Sequence, residues 1–412
     1  MILAWMQWPI PSSTLRISTG QTSGVYYSNA IKYKEKLAHY GVTLEVLPSA
    51  GSAQNLERLR DAQGSTDLAF VQGGFGFLGN ELDNQLGVSV QTLANVDIEP
   101  VWIFASKNID SLSQLRGQRV SLGLQGSGSR YVALALLDQV RLRSQDVSVS
   151  ELSGIEAADA LEKGQLDAMI FVSAPQAPAV RALITSTNIH LVQLKRNAAL
   201  AEHLPYLEPQ LLPQGKFDAS GKYPPQDVTL LTTSASLLTR SSLAPALQRL
   251  ATQAAKEVHK SAGILNHAGE FPSLRQIDFA TAAQTRDVLA NGLSWLESTF
   301  PFWWAQWITR VLLICIPFAL LAWWLGRVVP VYLLWKLQAQ VNRWYGELKY
   351  IEHDLSSVKT NSLNLAGLTA RLQLMNRELT DFNAPVELMP RYYTLRQHFD
   401  FVFSNLQKMR GR

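Results

Sequence analysis

Apolar and polar positions along the first 240 residues fall into a strand–helix–strand pattern that occurs twice. Residues 14–19 alternate with the two-residue period of a strand, and residues 24–40 carry a helical stripe that stops at Gly41. Residues 42–47 alternate again, residues 52–61 read as a helix entered through Gly51-Ser52, and residues 67–71 form a short buried strand. The order then recurs as strand 119–122, helix 127–140, strand 147–150, helix 154–162 and strand 167–172. A βαβαβ order predicts parallel strands joined by right-handed crossovers. The halves also share detail. Leu56-Glu57-Arg58-Leu59 leads through Gly64 to Asp67-Leu68-Ala69-Phe70-Val71, and Ala160-Leu161-Glu162-Lys163-Gly164 leads to Asp167-Ala168-Met169-Ile170-Phe171-Val172. In each, a helix ends at glycine and an aspartate opens a buried strand. The repetition predicts two similar α/β lobes rather than one sheet. Lobe 1 comprises residues 14–99 plus 226–298, with strand 228–233 and the helices after it returning to it; lobe 2 comprises residues 100–225. Two chain crossings between the lobes predict a hinge.

The pattern changes after residue 300. Residues 303–325 are almost wholly apolar, and residues 311–325 carry no charge, enough with their flanks for a spanning helix of about 20 residues. Trp303, Trp304 and Trp307 at one end, and Trp323 and Trp324 at the other, match the aromatic belts of a bilayer interface. Arg327, Lys336, Arg343 and Lys349 follow, so the positive-inside rule places the C-terminal side in the cytoplasm and the first 300 residues in the periplasm, at a bacterial inner membrane. An exported domain needs a signal, and the apolar run from Ile2 to Trp8 is too short for one and lacks a basic flank. This predicts that the native chain begins further upstream and that residues 2–8 end a signal anchor. Beyond the membrane segment, residues 333–355, 363–382 and 392–409 carry helical apolar spacing, which predicts a helical bundle within a tail of residues 333–412.

Composition narrows the function classes. Of 412 residues, 47% are hydrophobic and 17% charged, which excludes a disordered chain. Residues 1–309 hold 24 Lys/Arg against 26 Asp/Glu, whereas residues 326–412 hold 12 against 7. The main domain therefore has no basic excess with which to neutralise phosphates, and a nucleic-acid partner is not expected. Cys315 is the only cysteine and lies in the apolar segment, so no intrachain disulfide or cysteine metal cluster can form. The seven histidines, His39, His190, His203, His259, His267, His353 and His398, show no metal-ligand spacing.

Candidate chemistry concentrates in two glycine-bearing loops that each open a helix, Gly20 to Gly24 and Gly123 to Arg130. The start of a helix leaves N–H groups unpaired and carries partial positive charge, which suits a carboxylate or phosphate. Gly20, Thr22, Ser23 and Gly24 are candidates on the first loop, with Tyr26 and Tyr27 one turn further on, one facing the cleft and the other the sheet. Gly51, Ser52 and Asn55 repeat the logic, and Gln72 ends a strand where open α/β sheets place ligand groups. On the second loop the candidates are Gly126, Ser127, Gly128, Ser129 and Arg130, whose planar fork suits a carboxylate. Gly74-Phe75-Gly76-Phe77-Leu78-Gly79 matches a dinucleotide fingerprint in form, but it follows the third strand of its lobe and two aromatics crowd the pyrophosphate position. No nucleophile elbow, His–Asp pair or Walker lysine accompanies these loops, so an enzyme is not expected.

Thr19-Gly20 with Gly24 and Tyr26-Tyr27, Ser49-Ala50-Gly51-Ser52 with Asn55-Leu56, Asp67-Leu68-Ala69 with Gln72, Leu115 with Gly117 and Arg119-Val120, Gly126-Ser127-Gly128-Ser129, and Gly164 with Asp167-Ala168 occur in that order. The ordered set closely resembles the TAXI family of solute-binding proteins, the receptors of tripartite ATP-independent periplasmic (TRAP) transporters, over about residues 14–280. Gly269-Glu270-Phe271-Pro272-Ser273 and Arg343-Trp344-Tyr345-Gly346-Glu347-Leu348 resemble a membrane-anchored branch of it. The resemblance implies an α/β type II periplasmic-binding-protein fold of two parallel-sheet lobes, followed here by a C-terminal transmembrane helix and a helical tail. It implies a small carboxylate ligand, glutamate-like or another organic acid, TRAP-type permease subunits as partners, and no cofactor. Ala174-Pro175 stands where the family often has Gly-x-Pro, which predicts a different local turn. A tethered receptor also differs from members that shuttle freely, and the alternative expectation is a membrane-anchored sensor or scaffold that signals through its cytoplasmic tail.

Overall fold

In the computed structural model, which describes residues 12–61, 63–76, 89–218, 220–357 and 362–410, the two repeats become the two halves of one mixed sheet. β1 (Thr14–Ser18) lies between β2 (Thr43–Leu47) and β3 (Leu68–Gln72), parallel to both, and is connected to them through α1 (Val25–His39) and α2 (Ser52–Arg60). β4 (Val90–Ser106) leads out of this half. The second half repeats the arrangement with β5 (Arg119–Ser121) between β6 (Ser148–Ser150) and β7 (Ala168–Val172), parallel to both, joined by α3 (Gly128–Gln139) and α4 (Gly154–Glu162). After α5 (Pro178–Ile184), β8 (Ile189–Leu191), α6 (Asn197–His203) and β9 (Glu208–Leu212), the chain returns through β10 (Val228–Arg240). α7 (Pro245–His259), α8 (Thr285–Asn291) and α9 (Trp295–Thr299) follow.

The expectation of two separate parallel-sheet lobes is corrected. The strand order is β2-β1-β3-β10-β4-β7-β5-β6, with β8 on β4 and β9 on β10, and the central strands run antiparallel to their neighbours. The cause is the pair of crossings themselves. β4 is a 17-residue strand that pairs with β10 as far as Pro100↔Thr232 and with β7 from Val101↔Val172 onward. A chain that leaves one half and later returns in the opposite sense places two antiparallel strands side by side at the junction. Pro100, which has no N–H to donate, stands where β4 changes partners. β10 likewise continues to Arg240, seven residues past the expected end at 233.

The repeated aspartates explain why the halves read alike. Asp67 accepts a hydrogen bond from the Arg16 N–H at 2.9 Å, and Asp167 accepts one from the Arg119 N–H at 2.8 Å, so each ties the strand it opens to the neighbouring strand. The Arg119 guanidinium also holds the Asp167 carboxyl below its ordinary range, chiefly by hydrogen bonding. One half packs Leu15, Ile17, Tyr33, Leu37, Phe70 and Leu237 into its core. The other fills both sheet faces, with Val120, Leu136 and Ile170 on one and Trp102, Phe104 and Phe171 on the other. The Trp102 indole N–H donates to the Ser173 carbonyl at 2.8 Å, so this fully buried ring leaves no polar atom unpaired.

The described residues divide into two units after Arg310. α10 (Phe302–Ser357) begins in the first, where the Phe302 N–H donates to the Tyr40 carbonyl at 2.8 Å and its ring joins the core of β1 to β3. Residues read as a spanning segment and a first tail helix form this one continuous helix, with Pro317 and Pro330 inside it. By length and composition it can cross a membrane, and its most apolar stretch has no buried residue. In the second unit α11 (Ser362–Asp381) and α12 (Met389–Arg410) share with α10 a core of Trp344, Leu348, Ile351, Leu372, Leu379, Phe399 and Val402. The Trp344 indole donates to Glu378 at 2.9 Å. Residues 2–8, read as the end of a signal anchor, lie outside the described residues.

Gly164 ends the helical turn after α4 at φ 66°, and a Cβ there would meet nothing within 4 Å. Gly164→Ala is therefore expected to cost only the left-handed backbone strain, lowering the unfolding free energy by about 1 kcal/mol in urea titrations.

Candidate functional site

A cavity of about 150 Å³ opens between the two halves, where β4 crosses and the helix-opening loops meet. Helix starts from both halves face it. α1 begins after Gly24 with no side-chain cap, and the Gly24 N–H is occupied by the Gln21 carbonyl at 2.8 Å. α4 begins at Gly154, again with no side-chain cap, and the Ser153 hydroxyl reaches Gln21 of the facing half at 3.0 Å. α3 begins at Gly128, with Ser127 capping the Arg130 N–H. First-turn N–H groups have no carbonyl within their own helix to bond, so these three starts leave donors beside the cavity. Ile155, Met169, Phe171 and Pro178 supply its apolar wall.

The α2 start is used differently. Ala53 and Gln54 donate their N–H groups to the Gly126 carbonyl of the other half at 3.1 and 3.3 Å. Close approach makes this possible: a Cβ on Gly51 would lie 3.1 Å from the Ser127 Cα, and Gly51 has φ 133°. The halves are thus clasped, with Gln176 reaching Asp97 at 3.0 Å as a further tie.

The structure brings ten of the candidates to the cavity: Gly20, Ser23, Gly24, Tyr26, Gly51, Ser52, Gln72, Ser127, Gly128 and Ser129. Of the tyrosine pair it is Tyr26 that lines it, stacked on Phe70 at 5.3 Å between ring centres. Five candidates lie elsewhere. Thr22 borders a neighbouring surface groove with Arg58 and Glu156, and Tyr27 is half-buried outside the lining. Asn55 is buried beneath it. Its Nδ2 donates to the Phe70 carbonyl at 2.7 Å and to that of Thr19, while Oδ1 accepts from Ser18 at 2.7 Å and Ser49 at 2.6 Å. Gly126 contributes its carbonyl to the clasp, and Arg130 reaches Glu151 at 3.3 Å and the Gly123 carbonyl at 3.4 Å.

The two serines of the second loop already serve the protein. Ser127 Oγ donates to the Leu124 carbonyl at 2.7 Å and accepts from the Arg130 N–H at 3.2 Å. Ser129 Oγ accepts from the Val172 N–H at 3.0 Å. What this loop offers the cavity is its backbone.

Sequence reasoning missed Glu99. It sits on β4 with 4% of its surface exposed, lines the cavity, and its Oε2 accepts the Tyr26 hydroxyl at 2.8 Å. Burial pushes its carboxyl up to about 8, with nearby Asp97 adding to the rise and Tyr26 opposing it. Among the described residues lining the cavity there is no lysine, arginine or histidine. The available signal was a pair of acids, Asp97 and Glu99, leading through Pro100 into the apolar run Val101-Trp102-Ile103-Phe104.

The dinucleotide-like glycines are occupied. Gly74 and Gly76 donate their N–H groups to Asp278 at 2.6 and 3.3 Å, so the amides a pyrophosphate would need face a carboxylate; residues 77–79 of that stretch lie outside the described residues. No group of three or more His, Cys, Asp or Glu could hold a metal ion among the described residues.

Residues 17–270, which contain every residue of this cavity, match the NMT1-like family. The chain belongs to that family. This NMT1-like chain is also similar to the periplasmic aliphatic sulphonate binding protein of Escherichia coli, at 18% identity over 60% of this chain and 73% of that one, with a TM-score of 0.38. It is similar to the ligand binding component of an ABC-type import system from Staphylococcus aureus, at 13% identity over 67% and 99%, with a TM-score of 0.39. The regulatory domain of Synechocystis CcmR in complex with 2-PG is 14% identical over 60% and 98%, with a TM-score of 0.38.

Two outcomes follow for the NMT1-like domain. Glu99 keeps its proton in the folded chain to about pH 8 but loses it near its ordinary value of 4.5 when unfolded, so it makes folding less favourable as pH rises between those values. Glu99→Gln is expected to gain stability relative to the parent between pH 5 and pH 8, measured as the difference in melting temperature; a constant difference would contradict the burial described. Ser127→Ala removes the α3 cap and is expected to lower the unfolding free energy by about 1 kcal/mol in denaturant titrations.

Proposed function

We propose that this chain is an extracytoplasmic solute receptor that binds a small carboxylate between its two halves, for uptake by a TRAP-type permease. The observation that carries the reading is the convergence of three helix starts, from both halves, on one cavity whose described lining residues include no basic side chain. Oriented N–H dipoles hold an anion without a counter-cation, and more strongly when closure removes water around them. The uncapped α1 and α4 starts, with Gly128 and Ser129 of α3, are the groups we assign to the carboxylate.

Closure uses the junction. β4 and β10 are the strands that run from one half into the other, so a change of twist along them reorients the halves with each core intact. The clasp of Gly126 on α2 and the Ser153–Gln21 contact belong to the closed arrangement, and a ligand favours it only through contacts it makes better there. The narrower TAXI assignment rests on the ordered motifs Thr19 to Tyr27, Ser49 to Asn55 and Gly126 to Ser129.

The tether is α10, whose exposed apolar stretch is flanked by Trp303, Trp304 and Trp307 and by Trp323 and Trp324. The basic residues beyond it support a cytoplasmic tail at a bacterial inner membrane. One observation favours a second reading, a sensor that signals through that tail: its three helices share a packed core with Trp344 bonded to Glu378, which is more than a tether requires.

The full-length chain in nanodiscs, screened by thermal shift against carboxylates, inorganic phosphate and sulfonates, tests the ligand class. A carboxylate present at about 100 times its dissociation constant should add about 2.7 kcal/mol of stability and raise the melting temperature by several degrees. A shift with phosphate or sulfonates and none with any carboxylate would overturn the reading.

A further inference from the structure

We infer that Glu99 forms a subsite for an ammonium group, so that the cavity selects a small amino-carboxylate over the keto acid of the same skeleton. The inference rests on the carboxylate reading above and adds the second recognition element of the same site.

A carboxyl buried to this degree ordinarily has a cation or several donors around it. Among the described residues Glu99 has one donor, the Tyr26 hydroxyl on Oε2, and the residue borders open space. Among the described residues the neighbouring elements bring it no positive charge. α1 presents Tyr26, and β10 opposes it with neutral Thr233. β4 itself adds Asp97, which is negative, bonded to Gln176, and is the group that Lys32 of α1 acts on. β3 contributes neutral Gln72 to the same cavity. Among the described residues no side chain lining the cavity supplies a cation, so Glu99 stays neutral in the empty site and its carboxylate form is stabilised by a cation that comes with the solute. The phenol sets the role, because an O–H donated to one oxygen favours the carboxylate and leaves the other to accept.

The resulting charge pattern is specific. Helix starts with unpaired N–H groups meet the cavity from the loops, and a single acid meets it from β4. A solute carrying both a carboxylate and an ammonium satisfies both. A dicarboxylate with no amine would set its second charge beside a buried acid with no basic group to offset it.

Protons balance simply. Below about pH 8 the empty site holds Glu99 protonated, owing to its burial. The incoming R–NH3+ pairs with the carboxylate, the carboxyl O–H bond breaks, and its proton passes to solvent. One proton leaves for each solute bound, and affinity for the ammonium form rises with pH until the carboxyl is ionised in the empty protein.

The test is titration calorimetry of the full-length chain in nanodiscs with matched pairs: alanine and pyruvate, glutamate and 2-oxoglutarate, valine and 2-oxoisovalerate. Each is run at pH 7 in two buffers of different ionisation heat. For at least one pair the amine member should bind ten-fold or more tightly than its keto partner, with release of close to one proton. Glu99→Gln should lower affinity for that amine ten-fold or more and abolish the release, and Glu99→Asp should restore part of both. Should Glu99→Gln fail to fold, proton release by the parent chain decides. Keto acids binding as tightly as their amines, proton uptake on binding, or an undiminished amine preference in Glu99→Gln would overturn the inference alone. Binding by neither member of any pair would overturn it together with the carboxylate reading.

Discussion

Amide groups at the start of a helix have no carbonyl within that helix to bond, and the fold turns this deficit toward one place. Had α1, α3 and α4 opened onto solvent, water would satisfy them and the loops would carry no chemistry. They instead open into a cavity between two halves, where the α2 start shows what such amides do when a partner is within reach. The Gly126 carbonyl takes two of them, and the other starts remain turned to the cavity. The arrangement depends on the long pairing of β4 with β10, which holds the halves at the distance where loops of one reach helices of the other.

Electrostatics then limits the occupant. Among the described residues the lining has hydroxyls, amides and apolar side chains but no basic group, and its carboxyl is pushed up to about 8 by burial. A highly charged anion would bring several negative charges with only dipoles to offset them. A small monoanion, or a zwitterion, matches what those dipoles can hold.

Much of the secondary structure was legible because its causes are local. The period of residues 14–47, the glycines that end helices at Gly41 and Gly164, and the aspartates at 67 and 167 all act within a few residues of themselves. The mixed sheet was not legible. β4 is buried on both faces along most of its length, so it shows no alternation, and Pro100 reads as a boundary although the strand continues through it. The site divides in the same way. Glycines and helix starts mark a loop in sequence, whereas the commitments of Asn55, Ser127, Ser129 and Arg130 to other protein groups depend on partners that only the fold supplies. Glu99 was hidden because its meaning comes from Tyr26, 73 residues away in sequence.

The central claim is that helix-start amides of both halves hold the solute's carboxylate, and a crystal structure of the chain with a bound carboxylate tests it most directly. The account predicts carboxylate oxygens within about 3.2 Å of first-turn amides of α1 and of α3 or α4, inside the cavity that Tyr26 and Glu99 border. A carboxylate held instead by an arginine or lysine elsewhere, with those amides filled by water, would contradict it.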